Sequence, residues 1–170
     1  MPAITYQLKE KSWTFRDTYE IKDPSGNTAY KIKGKLFSRT NKFTFQEPNG
    51  KTLLIIKKRW LAFKPKYKII RNGDTLAVLE KKRSLWSPQF KLDLPGKNDY
   101  FIKGEFWKRE YEFEHNGKTV AEVSKNFWSW SDTFGVKIID AADHELILAT
   151  VVAMDLILQD LEKTSEAEAR

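Results

Sequence analysis

The chain has 170 residues, with 30 lysines and arginines against 23 aspartates and glutamates, and no cysteine. This length favours one domain, or two at most, with a core large enough to need no disulfide. The lack of cysteine excludes a disulfide framework and a thiolate metal site, which leaves only His115 and His144 as imidazole ligands. The start, MPAITYQLKEK, lacks the apolar stretch of a signal peptide, which predicts a cytoplasmic protein.

The net charge of +7 is unevenly distributed along the chain. Residues 159–170 carry −2, so the rest of the chain carries +9. A basic body favours polyanionic partners such as nucleic acid, anionic lipid or an acidic protein, although surface charge can also serve solubility alone. The end of the chain has no apolar periodicity, which predicts a disordered tail over 162–170.

Polar turns that contain glycine divide the chain at regular intervals. They read DPSGN, EPNG, RNGD, LPGKND and HNGK, and their glycines, at 26, 50, 73, 96 and 117, are spaced by 24, 23, 23 and 21 residues. Gly and Asn accept the positive φ that tight turns need. A nearly constant period of this length indicates a repeated supersecondary unit. A sixth polar turn, DAADHE at 140–145, follows after about one more period.

The segments beside each turn alternate in polarity or are rich in β-branched and aromatic residues. In chain order they read ITYQLK, TYEIKD, AYKIKG, KFTFQE, KTLLIIKK, YKIIR, TLAVLEKK, QFKLDL, YFIKGEF, REYEFEH, KTVAEVSK and TFGVKII. Period-two pairs such as Phe43 and Phe45 indicate strands with one buried face. Twelve antiparallel strands in hairpin order favour a closed β-barrel, because closure removes exposed strand edges.

The final apolar segment, ELILATVVAMDLIL at 145–158, is apolar on all sides and must be buried in protein or in lipid. A membrane-spanning helix needs about 18–20 consecutive apolar residues, whereas Asp155 interrupts this run, so we expect no transmembrane segment. The sequence predicts one domain over 1–161, with a helix over about 144–161 inside the barrel. Asp143 or Asp140 is expected to cap the helix. Asp155 is expected to face the barrel mouth or to pair with an inward Lys or Arg.

The loops at the ends opposite to the glycine turns contain all six tryptophans and many of the cations. They read KSWTFRD, KLFSRTNK, KKRWLAFKPK, KKRSLWSPQF, EFWKRE and SKNFWSWSD. Because an up-and-down meander gathers alternate loops at one end, we call this end the tryptophan rim. The candidate lipid-binding residues on it are Lys57, Lys58, Arg59, Trp60, Lys81, Lys82, Arg83, Trp86, Trp107, Lys108 and Arg109.

Three interpretations of the tryptophan rim remain open. In the first, the aromatic side chains cover the helix and the cations only make this end of the barrel soluble. In the second, the rim contacts anionic phospholipid, since Trp favours membrane interfaces and each basic residue near an anionic surface contributes about 1 kcal/mol. In the third, bases of single-stranded nucleic acid stack on the tryptophans. We favour lipid as the ligand; the alternative is a nucleic-acid or protein interaction module that uses the same rim. On this hypothesis, changing Lys57, Lys58 and Arg59 together to Glu abolishes binding without unfolding.

Patterns for catalysis, a cofactor or a metal are weak. His115 adjoins the turn at 116–117, His144 lies in the first turn of the predicted helix, and the sequence places no serine and carboxylate beside either one. Gly34 and Gly104 are single glycines at strand ends and not parts of a phosphate-binding loop. The sequence predicts a non-enzymatic binding protein without cofactor, of undetermined oligomeric state.

The order of these parts over roughly residues 4–158 resembles that of a known family. The segments KLFS, NKFTFQEPNGKTLLIIKKRWLAFKPKYKI, KNDYFIKGEFWKREYEFEHNGKTVAEVSKNFWSWSDTFGVKI and ELILATVVAMDLIL are similar to the LURP-one-related family of the tubby C-terminal-like superfamily, which also contains the phospholipid scramblases. The resemblance implies a twelve-stranded barrel around an internal helix. Tubby proteins bind phosphoinositides through basic residues on the barrel, which implies peripheral membrane contact through a ligand of that type. The proline-rich segment, cysteine cluster and calcium loop of scramblases are absent from this sequence, so scrambling, lipidation and calcium binding are not implied.

Overall fold

A computed structural model describes residues 2–9, 18–34, 42–61, 64–82, 89–96, 98–127 and 133–170, without the side chains of 60, 61, 64, 65 and 163. Twelve antiparallel strands form a closed barrel around a C-terminal helix, α1, at His144–Glu168. The strands are β1 Ala3–Lys9, β2 Thr18–Lys22, β3 Thr28–Lys33, β4 Lys42–Gln46, β5 Thr52–Leu61, β6 Lys64–Arg71, β7 Asp74–Lys82, β8 Gln89–Asp93, β9 Tyr100–Glu105, β10 Glu110–His115, β11 Lys118–Ser124 and β12 Thr133–Ile139. Two short 3-10 turns lie at Phe106–Lys108 and Lys125–Phe127.

Each strand pairs with its neighbours in chain order, and β1 closes the ring against β12. The closing pair runs in continuous register from Ala3 opposite Ile139 to Lys9 opposite Thr133. This confirms the closed twelve-stranded meander predicted from the sequence. Since neighbouring strands are antiparallel, the loops after odd-numbered strands lie at one end and those after even-numbered strands at the other.

The five predicted turn glycines, at 26, 50, 73, 96 and 117, all adopt positive φ, between 72° and 96°. In the two Asn-Gly turns the asparagine also does so, with φ of 51° at Asn72 and 52° at Asn116. Positive φ at both positions defines the type I′ turn, whose twist matches that of paired strands. These turns follow even-numbered strands, and we call this end of the barrel the glycine end.

Alternate side chains of the strands fill the barrel and surround the helix. All thirteen residues from Leu146 to Leu158 are buried, because the wall contacts the helix on every side. Large inward residues such as Phe45, Tyr67 and Phe113 have at most 1% of their surface exposed. The all-round apolar character of the segment is thus explained by burial in protein, and no helix among the described residues is both long and apolar enough to cross a bilayer.

The two ends of α1 differ in how well the sequence predicts them. Asp143, and not Asp140, is the N-cap, since its carboxylate accepts a hydrogen bond from the amide of Leu146 at 3.0 Å. At the other end the predicted stop near 161 is wrong, because the helix continues to Glu168 through residues expected to be a disordered tail. An existing helix extends without a new nucleation step, and the Glu, Lys and Ala of this segment are good helix formers.

Candidate functional site

The loops predicted to form the tryptophan rim follow odd-numbered strands and therefore share one end of the barrel. Trp60 lies near the end of β5, and Trp107 lies in the 3-10 turn after β9 with 51% of its surface exposed. The other predicted contacts Arg83 and Trp86, together with Trp13, Trp128 and Trp130, lie outside the described residues, as does the Trp60 side chain. Within the described part, the rim thus presents Trp107 as an exposed aromatic side chain.

Lys58 faces the barrel interior, although it belongs to the cationic run predicted to meet lipid. Leu54 and Ile56 are buried, and strand alternation turns Lys58 to the same side. Its ammonium pairs with the carboxylate of Asp160 on α1, and the Lys58 side chain is only 9% exposed. Burial, together with the nearby Asp160, raises the pKa of Tyr67 above its ordinary value. Lys58 therefore holds the helix and is not part of an outer surface.

Arg109 also contacts the helix. It follows the 3-10 turn in the left-handed conformation, with φ of 53°, which directs its side chain back into the barrel mouth. Its Nε lies 3.2 Å from Oδ1 of Asp155, and the two side chains are 16% and 4% exposed. The guanidinium also lies over the ring of Phe134, 5.5 Å from its centre. Arg109 is thus the inward cation expected for Asp155.

The remaining described candidates on the rim are exposed, but some have partners. Lys82 places its Nζ 4.8 Å from the ring centre of Phe101. Lys108 forms an ion pair with Glu105. Lys81 is exposed at the end of β7. Among the described residues, the predicted cations of the rim therefore do not form one patch.

A denser group of cations lies on the outer face of β4, β5 and β6. In the strand register, Lys57 lies opposite Lys42 on one side and Lys68 on the other, and Arg59 lies opposite Lys66. Directly opposite residues have Cβ atoms about 4.5–5.5 Å apart, and like charges at this distance destabilise a sheet. We call these residues the basic wall; its members are Lys42, Lys57, Arg59, Lys66 and Lys68.

Ion pairing does little to neutralise the basic wall. Lys66 lies 3.3 Å from Oε2 of Glu80. Lys42, Lys57, Arg59 and Lys68 form no ion pair with any described residue. Sequence reasoning missed Lys42, Lys66 and Lys68 because it followed runs along the chain, whereas this surface is assembled across strands. The period-two spacing of lysines in KPKYK was the available signal.

At the glycine end, the charged and histidine side chains hold the start of the helix. Arg71 donates from Nη1 to Oδ2 of Asp143 at 2.9 Å and from Nη2 to Oε2 of Glu145 at 3.1 Å. Burial alone raises the pKa of Asp143, but hydrogen bonds from Arg71 and from the Leu146 amide outweigh it and hold that pKa below its ordinary value. His144 lies 3.0 Å from both the Tyr6 hydroxyl and the Ile139 carbonyl oxygen. These contacts position α1 in the barrel.

The other histidine, His115, stacks on the ring of Tyr100 at 4.3 Å between ring centres. Among the described residues, no three His, Asp or Glu side chains are grouped as metal ligands would be. Both histidines thus have structural contacts.

Comparisons with known proteins agree with this architecture. The sequence model of the LURP-one-related family matches residues 4–155. The uncharacterized protein YxjI of Bacillus subtilis is 27% identical over 158 residues, which cover 93% of this chain and 96% of that protein. The solved structure of the Arabidopsis thaliana protein AT5G01750 superposes with a TM-score of 0.68 at 18% identity, over 94% of this chain and 91% of that one. The chain belongs to the LURP-one-related family.

Proposed function

We propose that this protein is a non-enzymatic peripheral binding module whose basic wall contacts an anionic phospholipid surface of the phosphoinositide type. The observation that carries the proposal is the row Lys42, Lys57 and Lys68, three lysines directly opposite one another on adjacent strands. Such a row is unfavourable in the isolated protein because like charges repel. An anionic ligand relieves this repulsion, which gives the row a physical purpose that solubility alone does not require.

The location of the basic wall suits contact with a membrane. Lys42 begins β4, Lys57 and Arg59 lie in the second half of β5, Lys66 lies in the first half of β6, and Lys68 lies near the middle of β6. Lys42, Arg59 and Lys66 are therefore nearer the tryptophan rim than the glycine end, and Lys57 and Lys68 lie near the middle of the barrel wall. A membrane that meets the barrel at the rim also meets Trp107, whose amphipathic ring suits the interface. At about 1 kcal/mol per basic residue, the four cations that form no ion pair with any described residue supply roughly 4 kcal/mol, or about a thousandfold in affinity.

The test is co-sedimentation with vesicles of phosphatidylcholine alone and of phosphatidylcholine containing a phosphoinositide, at low and high salt. We expect binding to the anionic vesicles only, weakened by salt. The variant Lys57→Glu/Lys68→Glu should lose binding. The control Lys51→Glu/Lys118→Glu changes the net charge equally at the glycine end and should retain it. Equal loss in both variants, or no binding by the wild type, contradicts the proposal.

Lys58 must be left unchanged in this test. Reversal of the whole Lys57, Lys58 and Arg59 run, which the sequence suggested, places a carboxylate beside Asp160 inside the barrel. Loss of binding would then report unfolding and not loss of a surface.

Single-stranded nucleic acid is the second candidate ligand, because a row of cations can follow its backbone and an exposed tryptophan can stack on a base. Quenching of tryptophan fluorescence by an oligonucleotide without vesicles, with a steep dependence on salt, selects this ligand instead.

A further inference from the structure

The outer face of β9, β10 and β11 is acidic. Across these strands Glu110 lies opposite Glu105, and Glu112 lies opposite Glu122. Two of these carboxylates accept hydrogen bonds, Glu110 from the Lys125 amide at 2.9 Å and Glu112 from the Thr119 hydroxyl at 3.3 Å. Glu122 is exposed, and it forms no ion pair with the residues that the structure describes. Like the basic wall, this face opposes like charges on adjacent strands, but Lys103 lies opposite Glu112 on its other side.

This acidic face contains a groove of about 480 Å³. We call it the acidic groove; its lining includes Lys103, Gly104, Glu110, Glu112, Glu122 and Phe127. The single ammonium group among these residues is already engaged, since Lys103 Nζ lies 3.0 Å from Oε2 of Glu114. Lys137 lies opposite Glu122 on β12 and flanks the groove. Three carboxylates in a concave surface favour a cationic occupant.

Gly104 lines the groove at a close approach between β9 and β10. A side chain there would place its Cβ 2.4 Å from the carbonyl oxygen of Glu110, and the φ of 139° suits glycine. Gly104 lies opposite Tyr111 on β10, and the absence of a side chain lets the two strands approach closely beside the groove. The half-buried ring of Phe127 forms an apolar side against which a long aliphatic stem can pack.

The same chain carries a surface of matching charge and spacing. Lys57 and Lys68 are opposite each other on adjacent strands, as are Glu112 and Glu122. Adjacent strands are about 4.7–4.9 Å apart in any sheet. Two ammonium groups of the basic wall therefore have the spacing needed to reach two carboxylates of the acidic groove at the same time.

We propose that the acidic groove receives the basic wall of a second copy of this protein. In the closed strand order β5 and β10 are five steps apart in one direction and seven in the other. The two surfaces therefore face nearly opposite directions, and their contact is head-to-tail. A head-to-tail contact between opposite faces leaves one free surface of each kind at the ends, so it builds open chains of molecules and not a closed dimer.

The net charge of +7 opposes this association only at long range. The Debye length is about 10 Å in 0.1 M salt, so repulsion between distant charges is largely screened while contacting pairs are less affected. Association is therefore expected to be strongest at moderate ionic strength. In about 1 M salt, where the Debye length is about 3 Å, it should weaken about tenfold or more.

The test is sedimentation velocity of the full chain over a wide range of concentration in about 0.1 M and about 1 M salt. The wild type should form concentration-dependent oligomers at the lower salt. The groove variant Glu112→Lys/Glu122→Lys and the wall variant Lys57→Glu/Lys68→Glu should each be monomeric. A mixture of the two variants should assemble again in alternating order, because the wall of the groove variant fits the groove of the wall variant and the two reversed surfaces are also opposite in charge.

A wild type that stays monomeric at every concentration, or a mixture that stays monomeric, overturns the proposal. Continued assembly of either variant alone also overturns it. If the groove reversal fails to fold, Glu112→Gln/Glu122→Gln removes the charges with little change in size and must give the same monomer. Vesicle binding separates this proposal from the lipid proposal, since the groove variant should still bind anionic vesicles.

Discussion

Asp155 on α1 and Arg109, the residue just before β10, form an ion pair, Nε to Oδ1 at 3.2 Å, with the Asp155 side chain 4% exposed. The pair links the helix to the barrel wall near the tryptophan rim. Arg71 and Asp143 form the corresponding link at the glycine end. The helix is thus fixed along its axis at both ends, which apolar contacts alone define less sharply because they are non-directional.

Replacing Arg109 by Met should destabilise the protein by about 3–5 kcal/mol, because it leaves the buried carboxylate of Asp155 without its guanidinium. Met and Arg have similar access to the left-handed backbone conformation, so the substitution leaves the backbone strain unchanged and tests the loss of the positive charge. The double variant Arg109→Met/Asp155→Leu should recover most of the loss. Urea unfolding measures the stability of both variants. If Arg109→Met is as stable as the wild type, the ion pair between Arg109 and Asp155 does not stabilise the protein.

Asp143 can be tested by two substitutions that separate its roles. Asp143→Ala removes the cap and the Arg71 ion pair, and should cost about 1 kcal/mol or more. Asp143→Asn keeps an N-cap side chain and loses only the charge, so it should cost less. The midpoint of urea unfolding at neutral pH distinguishes them.

The same residue should make stability depend on pH. Because the pKa of Asp143 is lower in the folded protein than its ordinary value, the unfolded chain binds the proton more readily. The contribution of Asp143 to the free energy of unfolding is therefore complete above its pKa in the unfolded chain, about 4. This contribution is lost as the pH falls through the lower pKa of Asp143 in the folded protein. The Asn variant should lack this component. If the stability of the wild type and of the Asn variant falls identically with decreasing pH, Asp143 makes no such contribution.

Gly104→Ala should destabilise by more than about 2 kcal/mol, because the new Cβ overlaps the carbonyl oxygen of Glu110 and the backbone conformation suits glycine. Gly26→Ala is the matched control. Gly26 also has positive φ, at 85°, but an added Cβ meets nothing within 4 Å. Its cost should be limited to about 1 kcal/mol of backbone strain. Thermal melting compares the two, and equal losses would show that the close approach at Gly104 is unimportant.

Lys57 and Lys58 are neighbours in sequence with opposite expected effects on stability. Lys57→Glu should be neutral or stabilising by a few tenths of a kcal/mol, because it relieves repulsion from Lys42 and Lys68. Lys58→Glu should cost roughly 3 kcal/mol or more, because it places a second carboxylate beside Asp160. Chemical denaturation of the two variants side by side tests the inward and outward assignment directly.

A chain ending at 161 should fold with a loss of less than about 0.5 kcal/mol, because the described side chains beyond it are exposed. A chain ending at 158 also loses Asp160, the partner of Lys58, and the half-buried Leu161. It should be clearly less stable. Circular dichroism melts of the two truncations measure the difference, and equal stability would show that the Lys58 ion pair contributes little.

The fold was predictable from the sequence because turn chemistry and alternation agree throughout. Asn72-Gly73 and Asn116-Gly117 each specify a type I′ turn and fix the register of the adjacent strands. The all-round apolar helix then required a surrounding wall. The C-terminal extension of the helix was missed because exposed residues give no apolar periodicity, although a helix already anchored in the barrel extends readily.

The surface was less predictable, because it depends on pairings between strands. The run of Lys57, Lys58 and Arg59 was treated as one patch, but alternation sends Lys58 inward and the other two outward. Lys42 and Lys68 join Lys57 only through the strand register, which sequence spacing does not give. Arg109 was assigned to the rim because nothing in EFWKRE indicates the left-handed turn that directs it to Asp155.

The closing pair of the barrel also constrains how the protein is made. β1 leaves the ribosome before the other eleven strands, yet its partner β12 and the enclosed helix leave after all of the strands between them. The ring cannot close around the helix until β12 and α1 have been synthesised, so the earlier strands keep unpaired hydrogen-bonding edges until then. Contacts so distant in sequence make folding slow, on the scale of milliseconds to seconds. The nascent chain is therefore most exposed to aggregation, and most dependent on chaperones, just before its C-terminal helix is released.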